Sequence, residues 1–170
     1  MKRIFLTLLF LLSSLTGSPA TAEIEALFST EVNIQEALLK EIETLSETLD
    51  LALYEITSAD LVQALVRAKE RGVRVRVVTD SKQARIKSSR VNLLIKRGIS
   101  VKTLGGKEKG AMNHHFAILD GKKVITGSHD WFTGSGKGDY ESILIIQNND
   151  LADSYQKEFE RLWREKRMIK

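Results

Sequence analysis

The sequence predicts an α/β domain built on a single mixed sheet, and three observations carry that reading. Strand and helix patterns alternate from about residue 26 to residue 104, two strand candidates meet at Asp120-Gly121 as in a hairpin, and the chain closes with an amphipathic helix. Alternation favours parallel neighbours joined by helical crossovers, whereas a hairpin demands antiparallel ones, so both kinds of pair are expected in one sheet.

Ala26 to Thr30 is a short strand candidate, and Asn33 to Leu45 places Ile34, Leu38, Leu39, Ile42 and Leu45 at helical spacing. Leu51 to Ile56 reads as a strand. Thr57-Ser58-Ala59-Asp60 can cap the next helix, marked by Leu61, Leu65, Val66 and Ala68 and stopped at Gly72. Val73 to Thr79 alternates like a strand, with β-branched residues 73, 75 and 77 on one face. Residues 81–90 have no clear period and read as an exposed connection into a helix from about Val91 to Arg97, ended by Gly98. Val101 to Leu104 is a further strand, and Gly105 to Gly110 has the composition of a mobile loop. His115 to Leu119 and Lys123 to Thr126 flank the hairpin signal, Ser142 to Ile146 is an apolar strand, and Leu151 to Lys166 carries Tyr155, Phe159, Leu162 and Trp163 along one side of a helix.

Ahead of this domain, Met1-Lys2-Arg3 is a short basic start, Ile4 to Leu15 is an apolar run, and Ala20-Thr21-Ala22 has the small-x-small pattern of a signal-peptidase site. The apolar run is shorter than the roughly 20 residues of a spanning helix. A signal peptide over 1–22, cleaved after Ala22, is therefore expected, with residues 23–170 as one domain and export to the periplasm or beyond. The chain has no cysteine, which excludes disulfides and a cysteine-linked lipid anchor.

Net charge is +4 over the whole chain and falls to +2 without Lys2 and Arg3, but the charge is unevenly spread. Residues 81–110 hold 9 basic side chains against Glu108 alone, whereas residues 23–80 hold 12 acidic and 6 basic ones. Lys82, Arg85 and Lys87 are the expected contacts for a polyanion, nucleic acid above all.

The chemistry-bearing stretch runs from Met112 to Trp131. Asn113, His115, Asp120, Gly127, Ser128 and Asp130 stand at the spacing His-x-Lys, Asp and Gly-Ser-x-Asn of the phospholipase D (HKD) superfamily, which the stretch resembles. Leu51 to Ser58, Arg71 to Val78, Gly98 to Val101, Tyr140-Glu141 and Phe159 to Trp163 extend the resemblance over nearly all of residues 25–165. It implies a phospholipase D-like mixed sheet flanked by helices, in a compact, secreted, single-motif member.

That resemblance also implies a mechanism. One motif per chain implies a homodimer with its site on the two-fold axis. One histidine attacks phosphorus, its counterpart protonates the leaving oxygen, and water resolves the phosphohistidine without a metal or other cofactor. By position the catalytic set is Asn113, His115, Asp120 and Glu141, with Glu141 orienting a histidine, and Gly127, Ser128 and Asp130 bind phosphate. Three identities depart from the pattern. Asn113 holds the nucleophile's place, where a carboxamide is neither nucleophile nor general acid. His115 holds the lysine's place and keeps a cation only when protonated, and Asp130 holds the asparagine's place.

Strand alternation places 113 and 115 on one face, so His115 points into the site and His114 away, although the two positions lie about 6.6 Å apart along a strand. His114-His115 as a metal pair is disfavoured by the same alternation. Ser128-His129-Asp130 resembles a hydrolytic triad only as text, since neighbouring residues cannot adopt its geometry. Trp131 and Phe132 read as core or dimer contacts before base-stacking ones. The expected function is phosphodiester hydrolysis, of nuclease type first and of phospholipid headgroup esters second. The rival is a catalytically impaired dimer that binds phosphate or nucleic acid.

Overall fold

A computed structural model describes residues 22–106, 108, 110–129, 131 and 138–166. Seven strands form one mixed sheet: β1 (Glu23–Phe28), β2 (Thr48–Leu53), β3 (Arg74–Asp80), β4 (Ser100–Leu104), β5 (His115–Leu119), β6 (Lys123–Gly127) and β7 (Ser142–Gln147), in the order β1-β7-β6-β5-β2-β3-β4. β2, β3 and β4 run parallel, while β5, β6, β7 and β1 each pair antiparallel with their neighbours. The mixed sheet is therefore observed as expected, and its parallel half is the half whose strands are linked by helices.

The helices are α1 (Ile34–Glu43), α2 (Ala59–Glu70), α3 (Val91–Lys96) and α4 (Asn149–Arg164). Asn33, Ser58 and Asn148 cap α1, α2 and α4 by accepting the backbone N–H of Glu36, Leu61 and Leu151, which satisfies donors a helix start leaves open. Helices α1 to α3 bury Ile34, Leu38, Leu65 and Leu94 against Leu49, Leu51, Val77 and Ile143 on one face of the sheet. On the other face α4 presses Phe159 and Leu162 onto Ala52, Val78, Phe116 and Ile118. Alternation along each strand sends odd residues of β5 to the first core and even ones to the second.

The bounds shift at the N-terminal strands. β1 starts and ends earlier than the apolar pattern suggests, because pairing with β7 and not periodicity defines it: Glu23 stands opposite Gln147 and Phe28 opposite Ser142. β2 ends at Leu53, where pairing with His115 ends, so Tyr54 and Glu55 lie beyond the sheet. Between β5 and β6, Asp120 and Gly121 take consecutive φ of +48° and +64°, as the turn suited to a twisted hairpin requires. The connection after β3 contains a 3₁₀ turn at Gln83–Arg85. Gly105 and Ala111 form an isolated bridge that closes the glycine-rich loop.

Candidate phosphodiester site

β5 runs against β2, with His115 opposite Leu53, so the start of β5 and the ends of β2 and β3 lie along one edge of the sheet. Asn113 is exposed and His115 partly buried there. Their side chains converge: Nε2 of His115 lies 3.4 Å from Oδ1 of Asn113. The tips thus close most of the spacing expected from strand geometry, because Asn113 precedes β5 and is free of its pleat.

Both residues line a cleft of about 470 Å³ between the β5 and β6 ends and α4, with Thr126, Gly127, Tyr155 and Glu158 among its walls. His114 diverges to the α4 side, where Nε2 lies 3.3 Å from Oε1 of Glu158 and its ring meets Phe116 edge-on. His115 turns toward Tyr54, with ring centroids 6.3 Å apart. The two histidines therefore face different partners, as alternation anticipates, yet both reach the cleft. Arg161, bonded to Glu158 by two hydrogen bonds and helped by His114, holds the Glu158 carboxyl below its ordinary range. Among the described residues no group of three or more His, Cys, Asp or Glu side chains is arranged to hold a metal ion.

Other predicted site residues stand elsewhere. Asp120 lies at the opposite end of β5, where its carboxylate accepts the N–H of Ser46, Glu47 and Thr48 and the Ser46 hydroxyl. Burial opposes ionisation of that carboxyl, but the backbone donors outweigh it and hold its pKa below the ordinary value. Asp120 therefore anchors the hairpin to the start of β2, which corrects its placement among the reacting groups. The histidine that Glu141 meets is His129: Oε2 lies 2.5 Å from Nδ1, and His129 is 2% exposed.

Gly127 lines the cleft and is required there by close packing, since a Cβ would stand 2.2 Å from the carbonyl oxygen of Ser142. Ser128 donates its N–H to that same oxygen, and its hydroxyl accepts from the Ser142 N–H. Ser128, placed by the resemblance among the phosphate-binding residues, thus has its backbone N–H tied to β7. Asp130 and Phe132 lie outside the described residues. Trp131 is buried in the core, as expected. Lys82, Arg85 and Lys87 are exposed on the connection that leaves β3 at the same edge as Asn113.

Sequence reasoning gave no role to Tyr54, Asp80, Gln83 or Glu158. Asp80 had a usable signal, because an Asp ending an apolar strand before Ser81-Lys82 can accept the N–H groups of the following turn. No local pattern announces the others, which meet through the tertiary fold.

Sheet, single motif and cleft together define a phospholipase D-like domain. The chain belongs to the family described as "Cardiolipin synthase, PLD-like domain", which matches residues 38–163. It is 37% identical to mitochondrial cardiolipin hydrolase of Mus musculus over 128 residues, covering 75% of this chain and 57% of that protein. Against the Homo sapiens protein the identity is 37% over 126 residues, covering 74% and 49%. The chain thus spans about half the length of these relatives. In fold it is similar to Nuc, a phospholipase D family member from Salmonella typhimurium (TM-score 0.76, 24% identity, 84% of this chain and 95% of that one). NucT from Helicobacter pylori is similar as well (TM-score 0.75, 22% identity, 84% and 96%).

Proposed function

We propose that the chain is a homodimeric, metal-independent phosphodiesterase of nuclease type in which His115 takes the part of the family's histidine. The observation that carries this reading is the convergence of Asn113 and His115 in one cleft at the motif position. Histidine and carboxamide are both present there, the carboxamide in the histidine's place and the histidine in the lysine's. His115 attacks phosphorus, forming a P–N bond as the P–O bond breaks; the partner's His115 gives its proton to the leaving oxygen; water then cleaves the P–N bond. Asn113 donates its amide N–H groups to a phosphate oxygen as charge builds.

A homodimer is supported by the bare flank of the cleft face. Thr126, on the cleft wall, pairs with Leu144, and Leu144, Ile24 and Phe28 are 40%, 61% and 47% exposed where α4 does not reach. The exposed bases at the same edge favour nucleic acid, while the relatives named cardiolipin hydrolases make a phospholipid headgroup ester the second substrate class. Cleavage after Ala22 and export remain part of the reading, and such cleavage leaves β1 whole from Glu23.

The second reading, binding without turnover, is favoured by the carboxamide of Asn113 at the nucleophile position and by the engagement of Glu141 with His129. One assay divides the two. Purified residues 23–170 are incubated in EDTA with single- and double-stranded DNA and with cardiolipin vesicles, alongside His115→Ala and Asn113→His/His115→Lys. Cutting by the natural chain that His115→Ala abolishes supports hydrolysis through His115. DNA retention without cutting, with cutting only by the double variant, moves the conclusion to binding.

A further inference from the structure

Asp80 is a carboxylate buried to 1% exposure that takes no part in the proposed chemistry. Its Oδ1 accepts the N–H of Lys82 at 2.8 Å and of Gln83 at 3.1 Å, and its Oδ2 accepts the N–H of Met112 at 3.1 Å. One side chain thus ties the root of the basic connection to the residue preceding Asn113. A second tie runs parallel to it. Gln83 donates from Nε2 to the Tyr54 hydroxyl at 2.8 Å, and the Tyr54 ring flanks His115. The Ser81 N–H bonds Leu104 O, and Arg90 bonds Ile56 O and Thr57 O through its N–H and Nε, so the connection is fixed at both ends. The connection, which in the sequence is an exposed stretch without a clear period, is a built platform that presents Lys82, Arg85 and Lys87.

We infer that Asp80 is a positioning residue that sets the basic turn at 82–87 against the Asn113–His115 cleft, so that both grip one nucleic-acid strand. The inference rests on the nucleic-acid reading above and names how that partner is held. A carboxylate suits the task because it accepts from both segments at once, whereas a carboxamide has one accepting oxygen and two donors with nothing to meet. Holding both sites at a fixed separation removes ordering cost from the binding of a strand that spans them. A ligand that fills only the cleft gains nothing from it.

The test compares a labelled single-stranded oligonucleotide long enough to cross both sites with a dinucleotide, on the unaltered chain and on Asp80→Asn. The long strand is expected to weaken by about tenfold, with a shallower dependence of log K on log salt as basic contacts drop out, while dinucleotide affinity stays put. Tyr54→Phe, which removes only the acceptor for Gln83, provides a variant that keeps the buried carboxylate and is expected to weaken the long strand about threefold by loosening one of the two ties. Equal weakening of long and short ligands, or an unchanged salt slope in both variants, overturns the positioning role and leaves Asp80 as ordinary framework. Absence of DNA retention by the unaltered chain overturns the nucleic-acid reading and this inference with it.

Discussion

Nδ1 of His129 donates to Oε2 of Glu141 at 2.5 Å, and the two side chains are 2% and 10% exposed. The pair joins the end of the motif to the start of β7, where the Glu141 backbone also exchanges hydrogen bonds with Ser29 beside β1. A carboxylate that the family resemblance assigns to orienting the site histidine is thus engaged in holding strands together. Replacing His129 by Leu removes this donor from the buried Glu141 carboxylate, at a cost of about 2–3 kcal/mol. For a chain of this size that lowers the melting temperature by roughly 5–10 °C, read by differential scanning calorimetry. In the Asn113→His/His115→Lys background, adding His129→Leu is expected to raise DNA cutting by freeing Glu141; no gain argues that Glu141 does not reach position 113.

Asp120 gives a stability prediction with a defined direction in pH. Its folded pKa is depressed, so its contribution is fully present above the unfolded value near 3.8 and is lost as pH falls through the lower folded value. Asp120→Asn forfeits charge-assisted bonds to three backbone N–H groups and costs about 2 kcal/mol at neutral pH. The gap between variant and natural chain should narrow in urea melts carried down toward and below pH 3.8. A gap that widens on acidification contradicts the assignment.

The sequence and the structure agree where local patterns are strong. Ser58, in the stretch read as a cap before apolar periodicity, does cap α2, and Asp120-Gly121 does turn the hairpin. They part where pairing decides: no pattern within Glu23 to Phe28 can say that β1 ends opposite Ser142, because the register belongs to two strands. The site divides in the same way. Spacing alone brings Asn113, His115 and Gly127 to one cleft, but the diversion of Glu141 to His129 and the tie from Asp80 to Met112 cross long sequence distances. A motif fixes where residues lie along the chain; only packing fixes which neighbour claims each carboxylate.

The exposed face beside the cleft is where the proposed dimer would meet. Leu144 and Phe28 lie on the side of β7 and β1 that α4 leaves uncovered. A charge there costs little in the isolated chain but cannot be buried unpaired against a second copy. Leu144→Glu is expected to shift the mass from dimer to monomer in light scattering while the melting transition stays cooperative. If hydrolysis needs two copies of His115, it also removes DNA cutting. An unaltered dimer mass places the interface elsewhere.

The docking of α4 rests on a buried ionic cluster whose energetics can be separated from its charge. Asp50, 1% exposed, accepts from Arg76 Nε at 2.8 Å and Nη2 at 2.6 Å and from Gln156 at 2.9 Å. Arg76 also reaches Glu160 at 2.7 Å, and its guanidinium lies 4.8 Å from the Phe159 ring centroid and 5.2 Å from that of Trp163. The Asp50 hydrogen bond is the main reason its pKa is raised above the ordinary arginine value. Arg76→Ala leaves the buried Asp50 carboxylate with Gln156 at 2.9 Å and Arg74 at 3.7 Å in place of its two-bonded guanidinium, and should cost about 3 kcal/mol. Removing both charges in Asp50→Leu/Arg76→Met replaces the cluster with apolar contact to Phe159 and is expected to fall near the natural stability or above it. Urea unfolding of the natural chain, Asp50→Leu, Arg76→Met and the double variant gives the coupling directly. Because α4 supplies Tyr155 and Glu158 to the cleft wall, Arg76→Ala should also weaken oligonucleotide binding, and the double variant should restore it. Binding that stays lost in a stable double variant would mean that the cluster's charge, and not the seating of α4, is what the cleft requires.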